Sequence, residues 1–296
     1  MPNSTALRQF GWTRGTRADL VNLNLSVRRP FPAFPAWVIV GHAFAPLFQA
    51  LDGSWGLIDQ TETALMRIQH RLTLTAELVA EVRRLEADPG PEKGFIELSS
   101  DDYHHVAQSI ANENAGRPLW LFAYGSLIWR PAFEHVEHRA CKAFGWRRSF
   151  CLKIHRWRGT PEQPGLMMCL DYGGCCHGIA FRLPAGNDYE QLLRLLRREA
   201  DYKGDIDAIR WIEVRSGNER FRALAFWAAP RSDPSYVNLT IAQQAFLLAR
   251  AAGHIGTCAE YLYNTIVKLH EHGIHDTYLW RLQRLVADEI RRIRSA

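Results

Sequence analysis

The chain has 296 residues, 47% hydrophobic and 23% charged, with a formal net charge of +5. That is the composition of a soluble globular protein with an ample core, in one large domain or two ordinary ones. No run approaches the roughly 18 apolar residues of a membrane-spanning helix, and residues 1–20 lack the continuous apolar core of a secretory signal.

Residues 1 to about 60 settle into no clear period. Pro30, Pro32 and Pro35 break regular structure, and the apolar stretch Trp37–Phe48 is short. Residues 1–65 are therefore expected to be a poorly defined extension. Met66 opens a segment that reads as a protein start, which makes the extension a candidate non-native upstream stretch. Residues 66–117 read as a helical lead-in. Thr75 is placed to cap a helix to Ala87, with Leu78, Val79, Val82 and Leu85 at helical spacing, stopped by Asp88-Pro89-Gly90-Pro91. Ser99 or Ser100 is placed to cap a second helix, ending near Asn114–Gly116.

From Pro118 the pattern becomes β-rich. Leu119–Tyr124, Gly165–Asp171 and Gly178–Leu183 are strand-like, the last two joined by a turn at Gly173-Gly174. Trp211–Val214 and Phe221–Trp227 follow, after a helix from Asp188 to about Asp201. Ile241–Arg250, Thr257–Gly273 and Thr277–Arg294 are helical. Strands around one inserted helix, flanked by terminal helices, predict an α+β domain over 118–296 with a barrel-like antiparallel sheet.

The six cysteines form no C-x-x-C pair, and the twelve histidines include no H-E-x-x-H. Reduced cytosolic thiols and no metal are the expectation. Trp146-Arg147-Arg148 and Arg156-Trp157-Arg158 interleave arginine with aromatics, which suits nucleic acid. A basic surface anchored by tryptophans fits better, because no nucleic-acid fold motif is present. No G-x-x-x-x-G-K or G-x-G-x-x-G pattern occurs, so no nucleotide is implied.

The densest chemical signal is Leu119–Pro131. An apolar strand stops at Gly125-Ser126, where glycine lets the backbone turn sharply and aim consecutive N–H groups at one point. Such clusters bind anions, carboxylates included; the same residues also fit an ordinary tight turn. Ser126 lacks the G-x-S-x-G elbow of a nucleophile. The second signal is the helix carrying Glu199. Tyr189, Leu192, Leu193, Leu196 and Ala200 form its apolar stripe, with Arg194 and Arg198 opposite. Glu199 falls roughly 80° from Tyr189, at the border of the buried face. A border glutamate is either simply solvated or a partly desolvated base with a raised pKa.

Tyr124-Gly125-Ser126-Leu127 with Ile128-Trp129, the loop Arg158–Gly165 and the placement of Arg198-Glu199 together resemble the ChaC-type γ-glutamylcyclotransferases. The resemblance runs from about Pro118 to the final helices and more weakly back to Arg71. It departs at Ala200–Asp205, which is not the family's commonest continuation. The resemblance implies that Glu199 is the catalytic base and that Tyr124, Gly125, Ser126 and Leu127 bind the α-carboxylate of a γ-glutamyl group. It implies glutathione as substrate and 5-oxoproline as product, in the cytoplasm, with no metal, cofactor, nucleic acid or membrane. Other γ-glutamyl amines or peptides, and a non-enzymatic regulator of cation transport, are the alternatives. Arg158 reads equally as a substrate contact or a structural residue, and Tyr261 and Tyr263 are placed either to close the site or to pack in the core.

Overall fold

The computed structural model describes residues 37–40, 43–49, 55–57, 72–84 and 86–295. Pro30, Pro32, Pro35, Met66 and Leu85 lie outside these residues. The chain divides into two units after Ile58. The first holds an antiparallel sheet of β1 (Trp37–Val40), β2 (Ala43–Gln49) and β3 (Trp55–Leu57). Its register pairs Trp37 with Pro46 and Val40 with Ala43. Regular structure was not expected here. Strands this short carry too few residues to show a period, although Val38-Ile39-Val40 is β-branched throughout.

Among the described residues of the second unit, the first element is α1 (Ala76–Glu81), capped by Thr75, whose side chain accepts the Leu78 N–H. The helix stops at Val82, ahead of the predicted proline breaker. Next, α2 (Ser100–Asn114) starts in a capping box that selects Ser99 as the cap. Ser99 Oγ accepts the Asp102 N–H, and the Asp102 carboxylate accepts the Ser99 N–H. Ala115 and Gly116, both left-handed, end it.

Then come β4 (Trp120–Ala123), the one-turn helix α3 (Ser126–Trp129), β5 (Glu137–Ile154), β6 (Gly165–Arg182), α4 (Asp188–Glu199), β7 (Arg210–Ser216) and β8 (Glu219–Ala225). The five strands close a barrel in the order β4-β6-β5-β7-β8. Neighbours run antiparallel except at the seam, where β8 meets β4 in parallel at Leu121 and Leu224. The predicted α+β barrel is therefore present.

Two details differ from expectation. The 18-residue strand β5 was missed, because Lys142, Arg147, Arg148 and Lys153 interrupt its apolar pattern. Its partner β6 is one continuous strand rather than two joined by a turn. Gly173 and Gly174 oppose the single Gly145 between the pairs Phe144–Cys175 and Trp146–Tyr172. All three glycines have positive φ, so they form a bulge inside the ribbon instead of ending a strand.

The chain finishes with α5 (Ile241–Arg250), a tight hairpin of β9 (Ala252–Gly253) and β10 (Gly256–Thr257), α6 (Cys258–Glu271) and α7 (Thr277–Ser295). These are the predicted C-terminal helices. Leu192 and Leu196 of α4, Leu248 of α5, Leu262 of α6 and Leu282 of α7 share one core with barrel residues such as Phe122 and Ile179.

The crossing of β4 and β6 tolerates no side chain at Gly178. A Cβ there would lie 2.5 Å from the Ala123 carbonyl oxygen and 2.7 Å from Phe122 Cζ. Gly178→Ala is expected to cost about 1–3 kcal/mol, as overpacking does. Thermal unfolding should show a midpoint lowered by about 2–4 °C per kcal/mol.

Candidate active site

Strand β4 delivers Tyr124 and Gly125 to one end of the barrel. There α3 begins; the Ile128 N–H donates to the Gly125 carbonyl at 3.0 Å, whereas the Ser126 N–H has no acceptor within the helix. The Ser126 N–H donates instead to Tyr261 Oη of α6, at 3.2 Å. Gly125 has φ −137°, outside the left-handed region. Its need for glycine is spatial, since a Cβ would stand 2.5 Å from Tyr261 Oη. The predicted turn is present, and a Cβ at Gly125 would take the space that the Tyr261 hydroxyl fills.

Tyr124 is fixed at both ends. Its hydroxyl donates to the carbonyls of Phe226 (2.9 Å) and Trp227 (3.2 Å). Its own carbonyl accepts from Arg148 Nε at 2.7 Å. Arg148 is buried and also donates to the His177 carbonyl and to Asp276 Oδ2, the latter at 2.8 Å. One guanidinium thus ties together the exit of β4, strands β5 and β6, and the approach to α7.

Glu199 is the last residue of α4, because Ala200 turns extended. The cause lies just downstream. Asp205 accepts the N–H groups of Asp201 (2.8 Å) and Tyr202 (2.9 Å), holding the backbone out of helical continuation. Adjacent residues do not face each other within a helix. At this end they converge: Arg198 Nε lies 3.2 Å from Glu199 Oε1, and another Arg198 nitrogen donates to the Arg130 carbonyl. Arg198 therefore lines the site rather than pointing away from it, contrary to the helical projection. The Glu199 side chain is only 12% exposed. Burial raises its pKa above the usual carboxylate range, opposed by the Arg198 charge. Burial likewise raises Asp201, and it pushes Asp205 up to about 6 against the two backbone N–H bonds that favour its charged form.

These groups share a cavity of about 460 Å³, within the range of small-ligand sites. Tyr124, Gly125, Ser126 and Leu127 line one part of it and Glu199 another, so the predicted site residues meet. From the loop at 158–165, only Arg158 reaches the cavity. Gly159 and Gly165 pinch that loop, since a Cβ on Gly159 would lie 2.4 Å from the Gly165 nitrogen. The Arg158 guanidinium bonds to the Thr257 carbonyl (2.7 Å) and Glu260 Oε2 (3.0 Å), which fixes α6 against the loop. Tyr261 lines the cavity, whereas Tyr263 packs on the core.

A family model described as ChaC-like protein matches residues 119–289. The chain belongs to the ChaC-like family. The glutathione-specific gamma-glutamylcyclotransferase of Escherichia coli K12 is 38% identical over 58% of this chain and 74% of its own length. Glutathione-specific gamma-glutamylcyclotransferase 1 of Homo sapiens is 31% identical, over 44% of this chain and 60% of its own. Gamma-glutamylcyclotransferase 2-1 of Arabidopsis thaliana is 29% identical, covering 59% and 82%. The crystal structure of the yeast cyclotransferase specific to glutathione superposes with a TM-score of 0.52 at 19% identity, covering 58% of this chain and 96% of that one. That likeness establishes the shared fold.

Within this ChaC-like domain, the arginines that alternate with tryptophan are committed to carboxylates. Arg147 pairs with Asp171, Arg148 with Asp276, Arg156 with Asp88 and Arg158 with Glu260. Among the described residues, no group of three or more His, Cys, Asp or Glu is arranged to hold a metal ion, and no helix is long and apolar enough to cross a membrane. Sequence reasoning missed Arg148 and Arg198. Arg148 had a signal, since it lies two residues before buried Phe150 and so on the same face of β5. Arg198 had none, because its direction depends on the helix ending at Glu199.

Arg148→Met keeps the bulk of the side chain while stripping Asp276 of its partner and Tyr124 of its donor. Breaking a buried pair in this way is expected to cost about 3–5 kcal/mol. Chemical denaturation should show the loss as a lowered midpoint at an unchanged slope.

Proposed function

We propose that this protein is a glutathione-specific γ-glutamylcyclotransferase, with Glu199 as catalytic base and Tyr124–Leu127 as the binding turn. The observation that carries the reading is a buried carboxylate of raised pKa sharing one small cavity with that turn. The names of the relatives from Escherichia coli and Homo sapiens support glutathione as the substrate.

The reaction is an intramolecular aminolysis. The α-amine of the γ-glutamyl group gives a proton to Glu199, and its nitrogen bonds to the γ-carbonyl carbon to close a five-membered ring. The bond to the cysteinyl nitrogen then breaks. The proton held by Glu199 goes to that leaving nitrogen, giving 5-oxoproline and cysteinylglycine. Nucleophile and electrophile belong to one molecule, so the main task is to hold it folded. Alignment of this kind is worth about 7–11 kcal/mol in well-oriented cases. A turn gripping the α-carboxylate at one end, with the base at the other, does so without a cofactor. A binding module has no need of the base.

The six cysteines are all free, five of them buried. This suits a reducing compartment, and we assign the activity to the cytoplasm. We assign residues 118–296 as the catalytic domain, because every cavity-lining residue lies between Phe122 and Tyr261. A chain lacking residues 1–65 is expected to keep its turnover within about twofold, and a folded but inactive truncation counts against that assignment.

Purified protein should release 5-oxoproline from glutathione, assayed beside a panel of γ-glutamyl dipeptides. Glu199→Gln should lower kcat by about 10²–10⁴-fold, as loss of general base catalysis does, with circular dichroism unchanged. Near-normal turnover of that variant removes the assignment. The base works only when deprotonated, so activity falls as pH drops through the pKa of Glu199. Because burial raises that pKa, the acid limb of kcat/KM is expected above the usual glutamate value of about 4.3.

A further inference from the structure

Tyr261 is held more firmly than closing a cavity requires. Its ring meets Trp129 edge to face with centroids 5.7 Å apart, and the Arg158 guanidinium lies 5.5 Å from its centroid. Thr265 Oγ1 donates to the Tyr261 carbonyl at 2.8 Å and accepts from Trp129 Nε1 at 3.1 Å, locking α6 to α3. The result is a hydroxyl aimed at the binding turn, over a residue that has no side chain to obstruct it.

A tyrosine hydroxyl carries one proton and two lone pairs. Among the described residues, this one accepts from the Ser126 N–H, and the Ser126 hydroxyl beside it also acts toward it as a donor. A lone pair is thereby occupied and the proton stays available to the cavity that Tyr261 lines. The Ser126 amide, which the sequence assigned to the substrate, is in turn already engaged. The turn therefore presents a polarised O–H at the place where a bare N–H was expected.

Resting on the γ-glutamyl reading of the site, we propose that Tyr261 is a substrate-binding residue whose hydroxyl donates to the glutamyl α-carboxylate. The Ser126 N–H passes its polarisation through the hydroxyl to the anion. A hydrogen bond donated to a charged acceptor is also the stronger kind. Burial pushes the Tyr261 pKa up to about 12, so the hydroxyl keeps its proton and remains a donor across the working range of the base. Gly125 is required because this donor occupies the space of a Cβ.

The test crosses one mutation with one change of substrate. γ-Aminobutyryl-cysteinylglycine differs from glutathione only in lacking the α-carboxylate, and it retains the amine and the carbonyl that react. Tyr261→Phe is expected to raise KM for glutathione on the order of ten- to a hundredfold, the worth of a hydrogen bond to a charged group. kcat should stay within about threefold, and the decarboxylated substrate should lose less than about threefold in kcat/KM. Equal losses on both substrates, or an unchanged KM for glutathione, overturn the proposal, because a merely structural tyrosine does not distinguish them. Calorimetric binding of glutathione to Glu199→Gln, with and without Tyr261→Phe, reads the same contact without turnover. If Tyr261→Phe does not fold, wild-type protein alone decides: equal binding of the two substrates overturns the proposal. Failure of the wild-type protein to form 5-oxoproline, with Tyr261-dependent binding intact, removes the cyclotransferase reading and leaves the donor.

Discussion

The buried guanidinium of Arg148 is the constraint on which the site depends. Strand β4 is only four residues long, and beyond Ala123 its backbone leaves the sheet. A carbonyl at that exit needs a donor, since burial without one costs several kcal/mol. Arg148 supplies it from β5 and uses its remaining nitrogens on His177 and Asp276. Those three acceptors come from separate parts of the chain. A rigid planar fork satisfies them together, which a lysine ammonium on a flexible stem does not. Gly125 and Ser126 follow directly from the anchored carbonyl, so the precision of the turn derives from a residue that does not line its cavity.

Glu199 shows how the end of a helix becomes chemistry. Four buried leucines of α4 (Leu192, Leu193, Leu195 and Leu196) fix the helix against the core. That packing fixes the axial position of Glu199 to within a fraction of a turn. Asp205 sets where the helix stops by taking the backbone donors of Asp201 and Tyr202. Ala200–Asp205 is therefore the device that ends α4 at the carboxylate. Trp227 Nε1 completes it, donating to the Glu199 carbonyl at 2.8 Å.

The elements most legible in the sequence were those whose burial has a period. Helices α5, α6 and α7 and the apolar face of α4 read correctly because one side of each faces the core. Strand β5 was illegible because its arginines face both ways: Arg148 points inward to three acceptors, while the exposed Arg147 reaches back to the buried Asp171. Polarity therefore does not track burial along it. The bulge at Gly173-Gly174 was misread because glycine pairs mark turns and bulges alike, and only the partner strand distinguishes them. At the site, Tyr124–Leu127 and Glu199 stood out in the sequence, and the fold brings them to one cavity. The contacts of Tyr261 and Arg198 did not stand out, because each depends on where another element ends.

The site combines two opposed demands on one carboxylate. At a cavity that Trp227, Phe226 and Met168 also line, the buried Glu199 carboxylate gains proton affinity. Full burial of an uncompensated carboxylate would leave it protonated and inert as a base near neutrality. Arg198 pulls the other way, and its own burial weakens its hold on charge, an effect that Glu199 opposes in part. The pair is mutually sustaining, with Arg198 also tied to the Arg130 carbonyl just beyond the binding turn. Moving Arg198 to relieve its burial would release that carbonyl as well.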